Sequence, residues 1–204
     1  MAAEGNETPE AAVHGGQAGK PPRPSTSASR LGMRLFLASL GMLFGGSLVG
    51  YLVIRLRAPE WPPPDSGGLP PGLWLSTGLV LALGLAMVLG ERAVRAGRTA
   101  ALVRWLALAL VLAVAFLAAQ VGNWMTMAAG AFFPQQSLAS FGFYVLTFLH
   151  AVHVLFGLVP LVFTWLRASR GRYTAADHEG VHLVGMYWHF LAVTWVAIFV
   201  VLSF

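Results

Sequence analysis

Four histidines in the last third of the chain are the residues whose type and spacing could do chemistry. His150 and His153 are three residues apart and share one face of a helix, while His182 and His189 are seven apart and repeat on one face of another. Two such helices could present facing imidazoles, the arrangement that holds a b-type haem in a helical bundle. The spacing is therefore compatible with a redox cofactor.

A structural role is the simpler alternative for these histidines, and it is the one we favour. Polar side chains on membrane helices commonly form hydrogen bonds to neighbouring helices. A metal-ligating imidazole is usually oriented by a second group such as a carboxylate. The carboxylates nearest along the chain, Asp177 and Glu179, lie in the loop before the last helix. We therefore expect interhelical hydrogen bonds, with no acid available to orient a ligand.

Other reactive groups are scarce. The chain has no cysteine, which excludes disulfides, thiolate metal sites, iron-sulfur clusters and thiol nucleophiles. Its carboxylates fall in the first residues, in loops or at the end of the second apolar segment: Glu4, Glu7, Glu10, Glu60, Asp65, Glu91, Asp177 and Glu179. Proton and ion pathways generally need ionisable groups at membrane depth. A pump or proton channel built from this chain alone is therefore not expected.

The elements that position the histidines are membrane helices. Only 10% of the residues are charged and 57% are apolar, against about 25% charged in soluble domains. Five apolar segments, about 31–54, 73–90, 102–126, 140–166 and 181–204, are each near the roughly 20 residues that cross a bilayer as a helix. We predict an all-α, polytopic membrane protein with a five-helix bundle over residues 31–204.

The polar segments predict the topology. Residues 1–30 contain almost no large apolar side chain and are predicted to be a disordered cytoplasmic tail. The prolines within 59–72 predict an exposed loop. All Lys and Arg except Arg55 and Arg57 fall on the side of the N-terminus. The positive-inside rule then predicts a cytoplasmic N-terminus and a periplasmic C-terminus. The same rule accounts for the pI near 10.4, because the basic residues lie beside membrane spans. We therefore do not expect nucleic-acid binding.

Small residues in the first apolar segment recur at helical spacing. Gly41 with Gly45, and Gly46 with Gly50, are each four residues apart. Such pairs let another helix approach closely, although glycine is also generally frequent in membrane helices. The pattern marks a candidate helix contact.

The last two segments carry a family resemblance. An aromatic run, FYVLT, precedes His150 and His153; the basic segment RASRGRYT covers residues 167–174; and His178, Tyr187, Trp188, His189 and Trp195 follow. Together they resemble the C-terminal third of haem-copper oxidase subunit III. Upstream, LGMRLFLASLGMLFGG and AFLAAQVGNW, which contains Gln120, resemble two further helices of that family. The similarity runs from about Leu31 to Phe204.

The resemblance implies a role but also shows departures. It implies the short, five-helix bacterial form of a subunit that carries no haem or copper itself. Such a subunit packs against the catalytic subunit of a complex that reduces oxygen to water, holds phospholipid, and supports proton uptake. The family pattern has Glu where this chain has Leu40, Asn123 and His182, and Asp where it has Ala192. The missing acids argue against a proton-collecting role.

The implied partners are subunit I, subunit II and membrane phospholipids, in the bacterial plasma membrane. The donor, cytochrome c or quinol, is not determined by this chain. Two alternatives stay open: an accessory protein of nitric oxide reduction with the same fold, and a free-standing b-type cytochrome. The resemblance also implies that Arg167 and Arg170, which with Arg172 form a basic cluster, bind phospholipid headgroups. Cytoplasmic-leaflet lipids attract such clusters by about 1 kcal/mol per residue.

Overall fold

The computed structural model describes residues 26–58, 70–129 and 138–203. Most of the predicted N-terminal tail and most of the predicted proline-rich loop lie outside these ranges. The described residues form five helices: α1 (Thr26–Arg57), α2 (Gly72–Arg95), α3 (Thr99–Ala129), α4 (Leu138–Ser169) and α5 (Glu179–Ser203). All five are long and apolar enough to cross a membrane. The predicted all-α, five-helix membrane fold is confirmed.

The helices extend beyond the predicted spans. Helix α1 begins at Thr26 instead of Leu31, so residues 26–30 are helical rather than part of the tail. Helix α3 has 31 residues and is about 46 Å long at 1.5 Å per residue, against a hydrocarbon core of about 30 Å. Hydropathy marks only the part of a helix that matches lipid. Polar turns at the ends continue the helix outside that layer.

Four of the helices form a ring. Neighbours in the ring are α2 and α3, α3 and α4, α4 and α5, and α5 and α2, with the most extensive contact between α2 and α3. Among the described helices, α1 contacts only α4 and α5. It therefore lies outside the ring, in the groove between those two helices.

The interior of the ring is apolar and aromatic. Phe116 of α3, Leu83 of α2 and Trp195 of α5 are at most 2% exposed. Phe44 of α1 is also only 2% exposed and reaches inward to the rings of His150 and His153. The outer faces of the helices expose many large apolar side chains, among them Met42 and Val193.

One end of the bundle collects the basic residues, and we call it the basic end. It comprises the start of α1, the α2–α3 turn and the α4–α5 loop. Both chain reversals here use a left-handed glycine, Gly97 with φ 71° and Gly171 with φ 67°. Each closes its helix with backbone bonds, for example Arg98 N to Ala93 O at 2.9 Å and Arg172 N to Arg167 O at 3.0 Å.

Candidate functional site

His150 lies at the centre of the bundle. Its side chain is fully buried, and its ring centroid is 5.5 Å from that of Phe116, 5.1 Å from that of Trp195 and 6.1 Å from that of Phe44. Neither ring nitrogen has a hydrogen-bond partner among the described residues. The expected interhelical hydrogen bond is therefore wrong for His150. The imidazole packs here as an aromatic ring.

The space beside His150 is small. The adjoining cavity measures about 10 Å³ and is lined by the following residues: Val80, Leu83, Phe116, His150, Val154, Trp188, Leu191 and Ala192. That volume is about one water molecule. It does not fit a porphyrin, and the described residues contain no group of three His, Cys, Asp or Glu side chains placed to hold a metal ion.

The other family-motif residues join α4 to α5. The Tyr187 hydroxyl donates to the carbonyl oxygen of His153 at 2.8 Å, while the His153 ring bonds within its own helix to Leu149 O at 2.7 Å. Tyr187 and Trp188 pack on Gly157, where an added Cβ would lie 2.6 Å from Tyr187 Cε1. These contacts require a glycine. They hold the two helices at close range.

Trp195 and His189 face α2. Trp195 Nε1 donates to Thr77 Oγ1 of α2 at 3.1 Å. His189 lies beside Gly84, where an added Cβ would be 3.8 Å from its Nδ1. His178 caps α5 through its carbonyl oxygen, which accepts the backbone N–H groups of Val181 at 3.0 Å and His182 at 3.2 Å. The motif residues thus join α5 to α4 and to α2.

His182 makes a contact with a carboxylate that the sequence analysis missed. Its Nδ1 is 2.9 Å from Glu91 Oε1, and Glu91 also pairs with Arg95 one turn later on α2. Of the four candidate histidines, only His182 has a side-chain hydrogen bond to another helix within the described segments. The expectation that no acid reaches these histidines is wrong. Glu91 is 91 residues away in sequence, and only the contact of α2 with α5 brings it close.

A second ion pair attaches α1 at the same end. Arg30 donates through Nε and Nη2 to the two carboxylate oxygens of Glu179, at 2.8 and 2.7 Å. This bidentate geometry is the strongest form of a guanidinium–carboxylate contact. With Glu91 and His182, it joins α1, α2 and α5 at the basic end.

A buried polar cluster links α2 and α3 nearer the opposite end. Asn123 Nδ2 donates to Ser76 Oγ at 3.1 Å and to Gln120 Oε1 at 3.0 Å. Ser76 and Gln120 are fully buried. Asn123 stands at one of the positions where the family pattern has an acid. Here a neutral amide donates to both neighbours, while Gln120 Nε2 has no hydrogen-bond partner among the described residues. Ser76 gave no signal in the sequence, because single serines are common in membrane helices.

We call residues 167–174, the last turn of α4 and the loop that follows it, the hinge. Its three arginines are all exposed. The Arg167 guanidinium carbon is 5.8 Å from the centre of the Tyr173 ring, close enough for a cation–π contact. Tyr173 is itself buried and packs on Gly180. The hinge therefore has a fixed core beneath a basic surface formed by Arg167, Arg170 and Arg172.

Known proteins are similar in sequence to this chain over most of its length. The family model described as cytochrome c oxidase subunit III matches residues 10–204. A cytochrome c oxidase subunit 3 of Thermostichus vulcanus is 28% identical over 176 residues, which cover 84% of this chain and 85% of that protein. One of Synechocystis is 31% identical over 173 residues, covering 83% of this chain and 72% of the relative. The chain belongs to the cytochrome c oxidase subunit III family.

Proposed function

We propose that this chain is the non-catalytic subunit III of a bacterial haem-copper terminal oxidase in the aerobic respiratory chain. The main support is the family match over residues 10–204, together with five helices able to cross a membrane. Haem and copper are assigned to partner chains, subunit I and subunit II. This chain contributes a packed helical body and a large apolar outer surface, and its activity is that of the complex.

The interior supports this proposal. The space at the centre of the ring is filled by aromatic side chains around His150, and the cavity there is about 10 Å³. A subunit whose role is to pack beside a catalytic chain needs a stable body more than an internal site. Its outer helix, α1, presents Gly45, Gly46 and Gly50, and nothing among the described residues lies within 4 Å of a Cβ added at any of them.

Purification of the tagged full chain in mild detergent tests the association. We expect a haem protein that consumes oxygen to co-purify. Co-purification with a haem protein that reduces nitric oxide but not oxygen would replace the oxidase by the nitric oxide alternative. A monodisperse, haem-free chain alone, from cells respiring on oxygen, would contradict both. A Soret band that stays with this chain after the catalytic subunit is removed would support the b-type cytochrome.

The proposed orientation has the basic end in the cytoplasm and the C-terminus in the periplasm. The support is the concentration of Arg and Lys at that end. A C-terminal alkaline phosphatase fusion should be active, and a C-terminal fusion to green fluorescent protein should be dark. The reverse pair of results would invert the assignment.

The hinge arginines are proposed to hold phospholipid headgroups. Arg167, Arg170 and Arg172 are exposed at one helix end, and guanidinium groups can contact phosphate through two hydrogen bonds at once. The double variant Arg167→Gln with Arg170→Gln should reduce the anionic phospholipid that co-purifies with the complex and leave its haem spectrum unchanged.

The control for the hinge removes the same charge elsewhere at the basic end, with Arg34→Gln and Arg98→Gln. Native mass spectrometry of parent and variants gives the lipid occupancy. Equal occupancy in parent and hinge variant, with the complex intact, would leave these arginines with a topological role alone.

A further inference from the structure

His189 differs from the other three candidate histidines in what its ring contacts. His150 is enclosed by aromatic rings, the ring of His153 bonds within its own helix, and that of His182 bonds to Glu91. The His189 ring makes no hydrogen bond, ion pair or ring contact with any described residue. Its side chain is half-buried, and both ring nitrogens reach the molecular surface, unlike those of His150. The donor and the acceptor of this imidazole are therefore unpaired within the described segments.

The position of His189 along α5 places it near the middle of the membrane. Helix α5 has 25 residues from Glu179 and is about 37 Å long, and His189 lies about 15 Å along it. If α5 is centred, the imidazole is about 11 Å inside the nearer boundary of a hydrocarbon core of about 30 Å. Its short side chain cannot reach water from that depth. The ring therefore depends on neighbouring protein for its hydrogen bonds.

The surface beside His189 is apolar and open. Leu81 and Leu85 of α2 are 54% and 58% exposed, and Val193, one turn after His189 on α5, is 70% exposed. We call these four residues the α2–α5 face. The opposite flank of α5 is different, because Phe190 there packs on α1. Within the part of the chain that the structure describes, no helix covers the α2–α5 face.

The neighbours of the His189 ring on the side of α2 are too small to bond to it. A Cβ added at Gly84 of α2 would lie 3.8 Å from His189 Nδ1 and 3.9 Å from Ala192 Cβ. Ala192 is one turn after His189, at a position where the family pattern has Asp. An acid there could bond to the imidazole on the same helix, whereas alanine cannot. This chain therefore keeps the histidine without the neighbouring acid.

The chemistry of the ring defines what can cover this face. The neutral imidazole, which is the cheaper form in hydrocarbon, has one donor and one acceptor. Lipid acyl chains offer neither, whereas polar side chains on a neighbouring membrane helix offer both. A second copy of this chain is a poor complement, because across a twofold axis the same ring nitrogen would meet itself, donor to donor or acceptor to acceptor. The complementary surface is therefore a helix of a different chain.

We propose that the α2–α5 face docks one transmembrane helix of another chain, and that this helix presents a hydroxyl or carboxamide side chain to His189 at mid-membrane depth. Leu81, Leu85 and Val193 supply the apolar contact around that hydrogen bond. The inference rests on the proposed function for the existence of a partner chain. It goes beyond that function by assigning the contacting face and the residue that selects the partner helix.

Substitution of His189 tests the hydrogen bond in the complex purified through the tagged full chain in mild detergent. We expect His189→Leu to retain about threefold less of the co-purifying haem protein, the ratio equivalent to about 0.6 kcal/mol for a hydrogen bond between membrane helices. His189→Gln, which keeps a donor and an acceptor, should retain more than His189→Leu. The stability of the isolated chain to SDS should not fall in either variant, because the ring bonds to no described residue.

A photocrosslinking group identifies the covering helix. With p-benzoylphenylalanine in place of Val193, irradiation should join the chain to a different protein, and mass spectrometry should place the product in a membrane-spanning segment with Ser, Thr, Tyr, Asn or Gln at mid-depth. The matched control carries the same group in place of Val49, which is 60% exposed on α1. It should give no such product.

Several results would overturn the inference. Crosslinks from position 193 to a second copy of this chain, or to lipid alone, would remove the partner helix, and crosslinks from position 49 alone would move the contact to α1. Full retention of the haem protein by His189→Leu would remove the hydrogen bond and leave the proposed function intact. A loss of stability in the isolated His189→Leu chain would make His189 a folding residue. Purification of the parent chain alone and free of haem would contradict the proposed function itself, and the inference with it.

Discussion

Helices α1 and α5 are both long and apolar, yet the rest of the chain holds them in different ways. In the most apolar stretch of α5, 50% of the residues are buried, whereas in that of α1 the share is 17%. Within the part of the chain that the structure describes, helix α5 contacts α1, α2 and α4, whereas helix α1 contacts only α4 and α5. The difference shows that strong hydropathy alone does not place a helix inside a membrane bundle.

The two helices also differ in where their polar contacts lie. Helix α1 is fastened near its ends, by Arg30 to Glu179 at the basic end and by Arg55 Nη1 to Val201 O at 3.0 Å at the other. Helix α5 is held along its length by Tyr187 and Trp195, which donate hydrogen bonds to α4 and α2. We infer that the ring forms the stable body and that α1 is the helix most readily displaced.

The largest effect that separates the two regions is expected at the ring centre. Trp195→Ala removes a fully buried indole and its hydrogen bond to Thr77, and should lower the free energy of unfolding by about 3–5 kcal/mol. Unfolding by SDS in mixed micelles measures it. Trp74→Ala is the control, because Trp74 is 70% exposed and its ring meets that of Phe199 edge to face. This substitution should lower the free energy of unfolding by less than about 1.5 kcal/mol. Similar losses of unfolding free energy for Trp195→Ala and Trp74→Ala would contradict the inference that the four-helix ring forms the stable body.

A glycine pair gives the next effect. Gly157→Ala places a Cβ 2.6 Å from Tyr187 Cε1 in the ring, whereas Gly45→Ala on α1 meets nothing within 4 Å among the described residues. Both variants gain the same helix propensity, so the difference between their unfolding free energies isolates overpacking. We expect Gly157→Ala to be less stable than Gly45→Ala by about 1–3 kcal/mol. The same SDS titration on the isolated chain measures it, and equal stabilities would show that the α4–α5 contact is loose.

A smaller effect is expected from the α2–α3 polar cluster. A double-mutant cycle with Ser76→Ala and Asn123→Ala should give a coupling energy of about 0.6 kcal/mol, because hydrogen bonds between membrane helices compete with other partners in the unfolded chain. Ser47 on α1 donates only to Leu43 O of its own helix. A cycle of Ser47→Ala with Asn123→Ala should therefore be additive within about 0.5 kcal/mol. A coupling energy above about 0.5 kcal/mol between Ser47 and Asn123 would indicate that α1 is part of the core.

The smallest effect is expected at the α1 attachment. Arg30 is exposed, with its side chain 47% accessible, so salt screens its pairing with Glu179. Arg30→Gln should accelerate hydrogen exchange in the first turns of α1 and leave exchange in α2 and α3 unchanged. Arg34→Gln, an exposed arginine four residues later, should leave α1 unchanged. Acceleration throughout the bundle would mean that α1 and the ring unfold together.

Much of the architecture is readable from the sequence. The five spans were predicted from apolar runs alone, because backbone groups in lipid must be paired within each segment, and this constraint acts locally along the chain. Charge placement predicted that one end of the bundle would be basic. The residues around His150, Tyr187 and Trp188 indicated the family. The helix ends were misplaced, as at Thr26, because polar turns outside the hydrocarbon layer have no hydropathy signal.

The pairing of side chains between helices was decided only by the tertiary structure. Lipid is as apolar as leucine, so the faces of a membrane helix that meet lipid and protein look alike in sequence. Nothing local could show that α1 lies outside the ring, that His150 is enclosed by aromatic rings without a hydrogen-bond partner among the described residues, or that Glu91 reaches His182. Each of these depends on the order of the helices and on their rotation about their own axes. Packing among all five helices sets both together.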